Sequence, residues 1–224
     1  MTQHYIGHRE RLRERILNSK MNAIADYELL EMLLCLALPR KDTKTLAKDL
    51  IKKYGSFAKV ISAERESLLS INGIGNNTIS CFRLIIEGSA RLIKDDILNK
   101  PIISSWQSLL NYCRSIMGHL EKEVFLVLYL NNQNELIQED LNDYGTVNQV
   151  SVYPREIAKR ALFLNASAVI LAHNHPGGST KASKADIAVT KQIQAALLPF
   201  EIRIHDHVII SNKSFFSFKS EGLL

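Results

Sequence analysis

Residues 168–186 read AVILAHNHPGGSTKASKAD, and their character changes twice. The first five are apolar without a break, the pattern of a short strand buried on both faces. Gly177 and Gly178 open a loop, and a helical segment follows over residues 183–197, ended by Pro199. A buried strand that passes through a loop into a helix is a unit of an α/β domain. The neighbouring sequence extends that pattern. Residues 105–117 read as a helix, and 124–130 (VFLVLYL) as a second fully buried strand. A turn at 131–134 precedes a return strand at 135–138. Pro154 sits where the first turn of a helix tolerates it, ahead of 155–164. Strands follow at 201–210 and 215–218. The C-terminal half, 105–224, is therefore expected to be an α/β domain with a mixed sheet.

The same stretch carries the chemistry. His173 and His175 stand two apart on an extended segment, so their side chains point the same way. Asp186 lies eleven residues past His175, in the first turn of the following helix, and the glycine loop lets it fold back. Two imidazoles and a carboxylate make a three-ligand site for Zn²⁺ that leaves the fourth position for water, as in catalytic rather than structural zinc. Such a water needs a base. Glu123, directly before the strand at 124–130, reaches the metal if that strand neighbours 168–172, with Glu121 as a competitor. Ser183 is placed to hydrogen-bond a developing oxyanion. Ser183 and Asp186 also match a helix N-cap with an acidic residue at N3, close to a capping box. A second His-x-His, His205 and His207, has no carboxylate at a matching spacing and reads as a strand pair.

The whole chain has 224 residues, 46% of them hydrophobic and 23% charged, with a formal net charge of +5. That length gives one large domain or two small ones, and the composition excludes wholesale disorder. No run reaches the ~18 apolar residues of a membrane span, and the first twenty residues are too charged for a secretion signal. Three widely spaced cysteines, Cys35, Cys81 and Cys113, fit reduced thiols in a cytoplasm.

The charge is uneven. Residues 1–100 hold 17 Lys and Arg against 12 Asp and Glu, whereas 101–224 hold 11 of each. The basic half reads as helices at 5–20, 26–38, 46–54, 64–71 and 78–93, without strand-like alternation. The pattern breaks at 95–105 around Pro101. The expected organisation is a small all-helical domain (1–97), a linker (98–104) and the α/β domain (105–224).

Glu123 before an apolar strand, followed by His173-x-His175-x7-Ser183-x2-Asp186, resembles the JAMM signature of MPN-domain (JAB) zinc metallopeptidases. HNHPGGSTKASKAD is similar to the version in the bacterial RadC family, formerly named as DNA-repair proteins. GHRERLRERI (7–16), DYELLEMLL (26–34), PRKDTKTLAKDLI (39–51), SVYPREIAKRAL (151–162) and DHVII (206–210) are similar to segments of that family too. Gly177 departs from it, since serine is usual there. The resemblance implies a cytidine-deaminase-like MPN/JAB domain, with one zinc ion on His173, His175 and Asp186. It also implies Glu123 as the general base, Ser183 as the oxyanion donor, and His207 close to the ligands. The implied reaction is hydrolysis of a peptide or isopeptide bond in an unknown protein or peptide substrate.

In the basic half, LLSINGIG (68–75) and the helix after it resemble a helix-hairpin-helix, in which backbone N–H groups face a DNA phosphate. Gly73 and Gly75 form the turn and Arg83 follows. Asn72 replaces the usual proline, and Ile79 the usual small residue. A plain helical hairpin fits the same residues. Arg9, Arg11, Arg13, Arg15 and Lys20 offer an electrostatic surface to nucleic acid, or a solvated helix face interleaved with Glu10 and Glu14. The expectation is a cytoplasmic metallopeptidase whose helical domain contacts DNA or protein, with no membrane and no oligomeric state assigned. The rival is a DNA-associated adaptor whose zinc site is not catalytic. A metal-dependent nuclease is the poorer fit, because such sites prefer Mg²⁺ and more carboxylates.

Overall fold

A computed structural model describes residues 7–20, 23–98, 100–142, 145–146, 149–150, 152–211 and 214–224. The chain divides into two compact units, Met1–Glu87 and Gly88–Leu224. The first contains helices α1 (His8–Asn18), α2 (Asp26–Ala37), α3 (Lys44–Tyr54), α4 (Phe57–Ile61) and α5 (Arg65–Leu69), and the start of α6 (Asn76–Asp95). Its core gathers one face of each main helix: Leu30 and Leu34 from α2, Ala47 and Leu50 from α3, Val60, Leu68, and Ile79 and Phe82 from α6. Four of the helices stand where the periodicity predicts them, and α6 runs longer. The remaining helix, α4, has five residues, too few for a period to show.

The second unit holds α7 (Trp106–Met117), β1 (Phe125–Leu130), β2 (Leu136–Asn142), β3 (Gly145–Thr146) and β4 (Gln149–Val150). It continues with α8 (Pro154–Phe163), β5 (Ala168–Asn174), α9 (Lys184–Leu197), β6 (Arg203–Ile210) and β7 (Phe215–Ser217). The main sheet runs β2-β1-β5-β6-β7, and β3 and β4 pair separately. β5 is antiparallel to β1 and parallel to β6.

The two continuous apolar runs are buried on both faces. Leu126, Leu128, Leu130, Ile170 and Ala172 face Leu109, Leu110, Cys113 and Met117 of α7. Phe125, Val127, Tyr129, Val169 and Leu171 face Ile157 and Ala161 of α8 and Ile193 and Leu197 of α9. The result is three layers, helix–sheet–helices, with α9 crossing over between the parallel strands β5 and β6. Loops at the carboxyl ends of such strands are where α/β sheets bind ligands.

The expected linker at 98–104 takes a different form. Ile97 and Ile102 are fully buried in the core of the second unit, and the Ile102 N–H donates to the Asn134 carbonyl at 2.8 Å. Their apolar side chains lay this segment against the sheet, while Pro101 breaks only the helical pattern. The division between the units falls within α6. Among the described residues no helix is long and apolar enough to cross a membrane.

Leu128 lies at the centre of β1 with none of its surface exposed. Leu128→Ala is expected to lower the stability of the second unit by about 2–5 kcal/mol in urea unfolding followed by circular dichroism.

Candidate metal centre

Strand alternation places the ligands. His173 continues the row of Val169 and Leu171 at the carboxyl end of β5, opposite Phe125 of β1, and its ring stacks on that of Phe125 at 6.1 Å and 11°. His175 follows on the same side. Gly178, at φ 81°, takes a left-handed conformation that side chains disfavour, and its N–H closes a turn onto the His175 carbonyl at 2.9 Å. The chain thereby comes back to α9, whose first turn carries Asp186.

Ser183 caps that helix. Its Oγ accepts from the Asp186 N–H at 3.1 Å, and the Ser183 N–H donates to Asp186 Oδ2 at 2.7 Å. The capping box and the ligand arrangement coincide, because the box fixes the Asp186 side chain. The His173 and His175 Nε2 atoms lie 3.0 Å apart. Asp186 Oδ1 is 3.3 Å from the first, and Oδ2 is 3.5 Å from the second. Ligand atoms about 2.0–2.1 Å from a tetrahedral ion stand about 3.3 Å apart. The three donors therefore fit one small divalent cation.

Each imidazole is held in the tautomer this requires. His175 Nδ1 donates to the Ser179 carbonyl at 2.8 Å, leaving the Nε2 lone pair free. His173 Nδ1 lies 2.8 Å from His207 Nε2, and His207 Nδ1 lies 2.7 Å from the Thr190 hydroxyl. Thr190 in turn donates to the Asp186 carbonyl at 2.5 Å. With Nε2 of His173 kept for the metal, its Nδ1–H donates to His207, His207 donates to Thr190, and every donor has an acceptor. His207 is fully buried between Phe218 (4.5 Å, stacked) and Phe125 (5.5 Å, edge-on). That burial, with His173 adding to it, holds its pKa well below the usual histidine value, so it stays a neutral acceptor. Such partners fix the orientation of metal-binding imidazoles.

The electrostatics agree. Burial opposes the Asp186 charge, but when the two Nε2 atoms carry protons in place of an ion, hydrogen bonds from His173 and His175 outweigh it and hold the carboxyl well below the carboxylate range. The bond to Asp186 raises the His175 pKa against the effect of burial, with help from the Ser179 carbonyl. Half-buried Glu123 is raised, chiefly by burial and further by Asp186, while His173 and His175 pull the other way. All three ligands thus act on the Glu123 carboxyl. Ser183 is exposed at the rim, and its Oγ accepts in the cap, which leaves its O–H free to donate.

Every part of this centre lies in the region described as the RadC-like JAB domain, which matches residues 103–223, and the UPF0758 N-terminal family matches residues 4–80. A UPF0758 protein of Rhodobacter capsulatus is 45% identical over 213 residues, covering 95% of this chain and all of that protein. One of Ruegeria pomeroyi is 42% identical over 224 residues, covering all of both. A third, of Fusobacterium nucleatum, is 42% identical over 225 residues and covers 97% of each. The chain belongs to the RadC family. The mixed five-stranded sheet with its helices is accordingly that of a JAB/MPN-type fold, and it follows a helical region that the UPF0758 N-terminal family matches.

Three residues of this RadC chain's site carry no spacing signal that the sequence reading used. Thr190 stands one helical turn beyond Asp186, so an i, i+4 search from the ligand would reach it. Buried Asp206 accepts from the N–H groups of His207 (2.7 Å) and Lys219 (3.0 Å) and from the Ser217 hydroxyl (2.5 Å), which ties the end of β7 and the chain after it to β6. Asn174, between the two histidines, turns to the other face, where its amide meets the main chain around Glu123.

His205 and His207 do not act as a pair. The β5–β6 register slips between Val169 and Ile170, so that Ile204 and Asp206 face successive β5 residues and His205 is extra. The bulge reverses the alternation. His207 faces the metal ligands, while His205 Nε2 lies 2.5 Å from Asn134 Oδ1.

In the helical unit, Gly73 at φ 96° makes the turn between α5 and α6, and Arg65 donates across it to Asn76 Oδ1 at 2.9 Å. Arg83 is exposed on α6. Much of the basic N-terminal segment is engaged internally. Arg9 donates to the carbonyls of Pro39 and Lys41, Arg13 pairs with Glu10, and Arg15 meets Glu28 at 2.8 Å.

Because His175 must lose its proton to bind a metal, and its pKa is raised, competition from protons begins above the ordinary ~6.5 of histidine. Metal affinity is expected to fall as pH drops from 8 to 6. Calorimetric titrations in buffers of different ionisation enthalpy should show proton release on binding that grows over the same interval.

Proposed function

We propose that this protein is a zinc-dependent metallopeptidase that hydrolyses a peptide or isopeptide bond. The observation that carries the reading is the three-donor cluster of His173, His175 and Asp186 beside a half-buried carboxyl with a raised pKa. Two imidazoles and one carboxylate are a donor set suited to zinc, and a bound zinc ion would supply a Lewis acid and a water whose pKa falls towards ~7. The chain's own groups divide the remaining work. Glu123, whose burial brings its pKa closer to neutrality, takes the proton of the attacking water and returns it to the leaving amine. The Ser183 hydroxyl, at the rim with its O–H free, donates to the oxygen of the tetrahedral species. Asp186 stays ionised and His173 stays fixed by His207, so neither competes for that proton.

For the helical unit we keep the reading of phosphate contact through the Gly73–Gly75 turn and Arg83, supported by the left-handed Gly73 and the long helix behind it. Cys35, Cys81 and Cys113 are free thiols, which supports a reducing compartment such as the cytoplasm.

Metal analysis and a peptide and isopeptide library test the enzyme reading. About one zinc per chain is expected in the wild type and in Glu123→Gln, but not in His173→Ala, with hydrolysis lost in both variants. Zinc retained by His173→Ala sinks the ligand set. Zinc bound without hydrolysis, together with DNA binding, favours the adaptor.

Duplex binding by the full chain should weaken steeply with salt, and Arg83→Ala should reduce the slope of log K against log[salt] by about 1. No binding at low salt removes the nucleic-acid reading.

A further inference from the structure

Glu123 lies in residues 120–124, between α7 and β1, outside any regular helix or strand. One side chain grips this segment at three points. Asn174 Oδ1 accepts from the Val124 N–H at 2.7 Å, and its Nδ2 donates to the carbonyls of Lys122 at 2.9 Å and Leu120 at 3.3 Å. Two of these bonds bracket Glu123, taking the carbonyl before it and the N–H after it. The peptide planes on both sides of the Glu123 Cα are thereby tied to a single amide.

That amide belongs to the residue between the two histidine ligands. Alternation sends His173 and His175 to one face and Asn174 to the other, and Asn174 is 2% exposed. The β5 end therefore presents both imidazoles on one side and grips the Glu123 segment on the other. Only a primary amide offers an acceptor and two donors within so short a side chain. Aspartate would set a carboxylate against two carbonyls, and an apolar residue would leave three main-chain groups without this partner, the buried Val124 N–H among them.

We propose that Asn174 is a positioning residue, which fixes the Glu123 carboxyl relative to the His173–His175–Asp186 cluster by holding the main chain on both sides of it. The inference rests on the reading of Glu123 as the group that moves the proton, but its first consequence is structural and can be measured separately.

The test uses the full chain with Asn174→Ala, Glu123→Gln and the double variant. In Asn174→Ala, zinc content should remain that of the wild type, since all three ligands are intact. The Val124 amide should lose its protection from hydrogen exchange by NMR, which Glu123→Gln should leave in place. The kcat should fall about 10²-fold with KM little changed, the scale of a misplaced reacting group. The double variant should be no slower than Glu123→Gln alone, because both changes remove the same function. Wild-type kcat in Asn174→Ala, retained Val124 protection, or loss of zinc each overturns the proposal. If Asn174→Ala does not fold, Asn174→Asp keeps the shape and the acceptor for Val124 while losing both donors. It should show the same fall in kcat, and wild-type kcat there overturns the proposal. If the wild type cleaves no peptide, the proposed function fails by itself. Loss of Val124 protection with zinc retained then still supports Asn174 as the holder of the segment, and kept protection overturns it.

Discussion

The end of β5 is subject to one constraint: successive side chains of a strand must leave it on opposite faces. Because both faces of this strand are covered, whatever its last residues carry is driven either into the layer of α8 and α9 or into that of α7. His173 goes to the first, where Phe125 stacks on it and His207 lies within hydrogen-bond reach. Asn174 goes to the second, where it meets the main-chain groups of the chain entering β1. His175 returns to the first face just past the carboxyl end of β5, half-buried and at the start of the loop. Two of the three donors of the cluster and a support for the neighbouring carboxyl thus arise from three consecutive residues.

The rest of the centre serves to keep two imidazoles correctly turned. The relay His173–His207–Thr190 ends on the main chain of Asp186, so the outer hydrogen bonds of one ligand close on the backbone of another. Its middle member stays uncharged because it is sealed between two phenylalanine rings. A protonated His207 would have no lone pair for the His173 N–H, and the orientation of the ligand would be lost. The buried aromatic residues therefore act on the chemistry through solvation.

Much of this was legible in the sequence. Two apolar runs too long to alternate announced a sheet covered on both faces, and His-x-His followed by a capped helix announced ligands meeting across a loop. The reading failed where length or chain direction hides the pattern. α4 is too short to have a period. Residues 98–104 lose helical spacing at Pro101 yet bury Ile102 completely. His205 and His207 look like a pair because a bulge leaves no mark on residue spacing. Thr190 and Asn174 are single short polar residues, and nothing in their neighbourhood distinguishes a structural amide or hydroxyl from a solvated one.

By itself, then, the sequence determined which elements form, which faces they bury, and which residues have the donor chemistry for a metal and its base. These follow from local preferences and from the periodicity of apolar residues, both properties of adjacent positions. Only the tertiary structure decided that β1 lies beside β5, bringing Glu123 under the influence of ligands fifty residues away. It alone decided that β6 slips its register so that one histidine of two faces the centre, and that Asn174 links the end of β5 to the Glu123 segment. Each is a matter of register and packing between segments remote in the chain, set by how the buried faces fit together rather than by any one segment's composition.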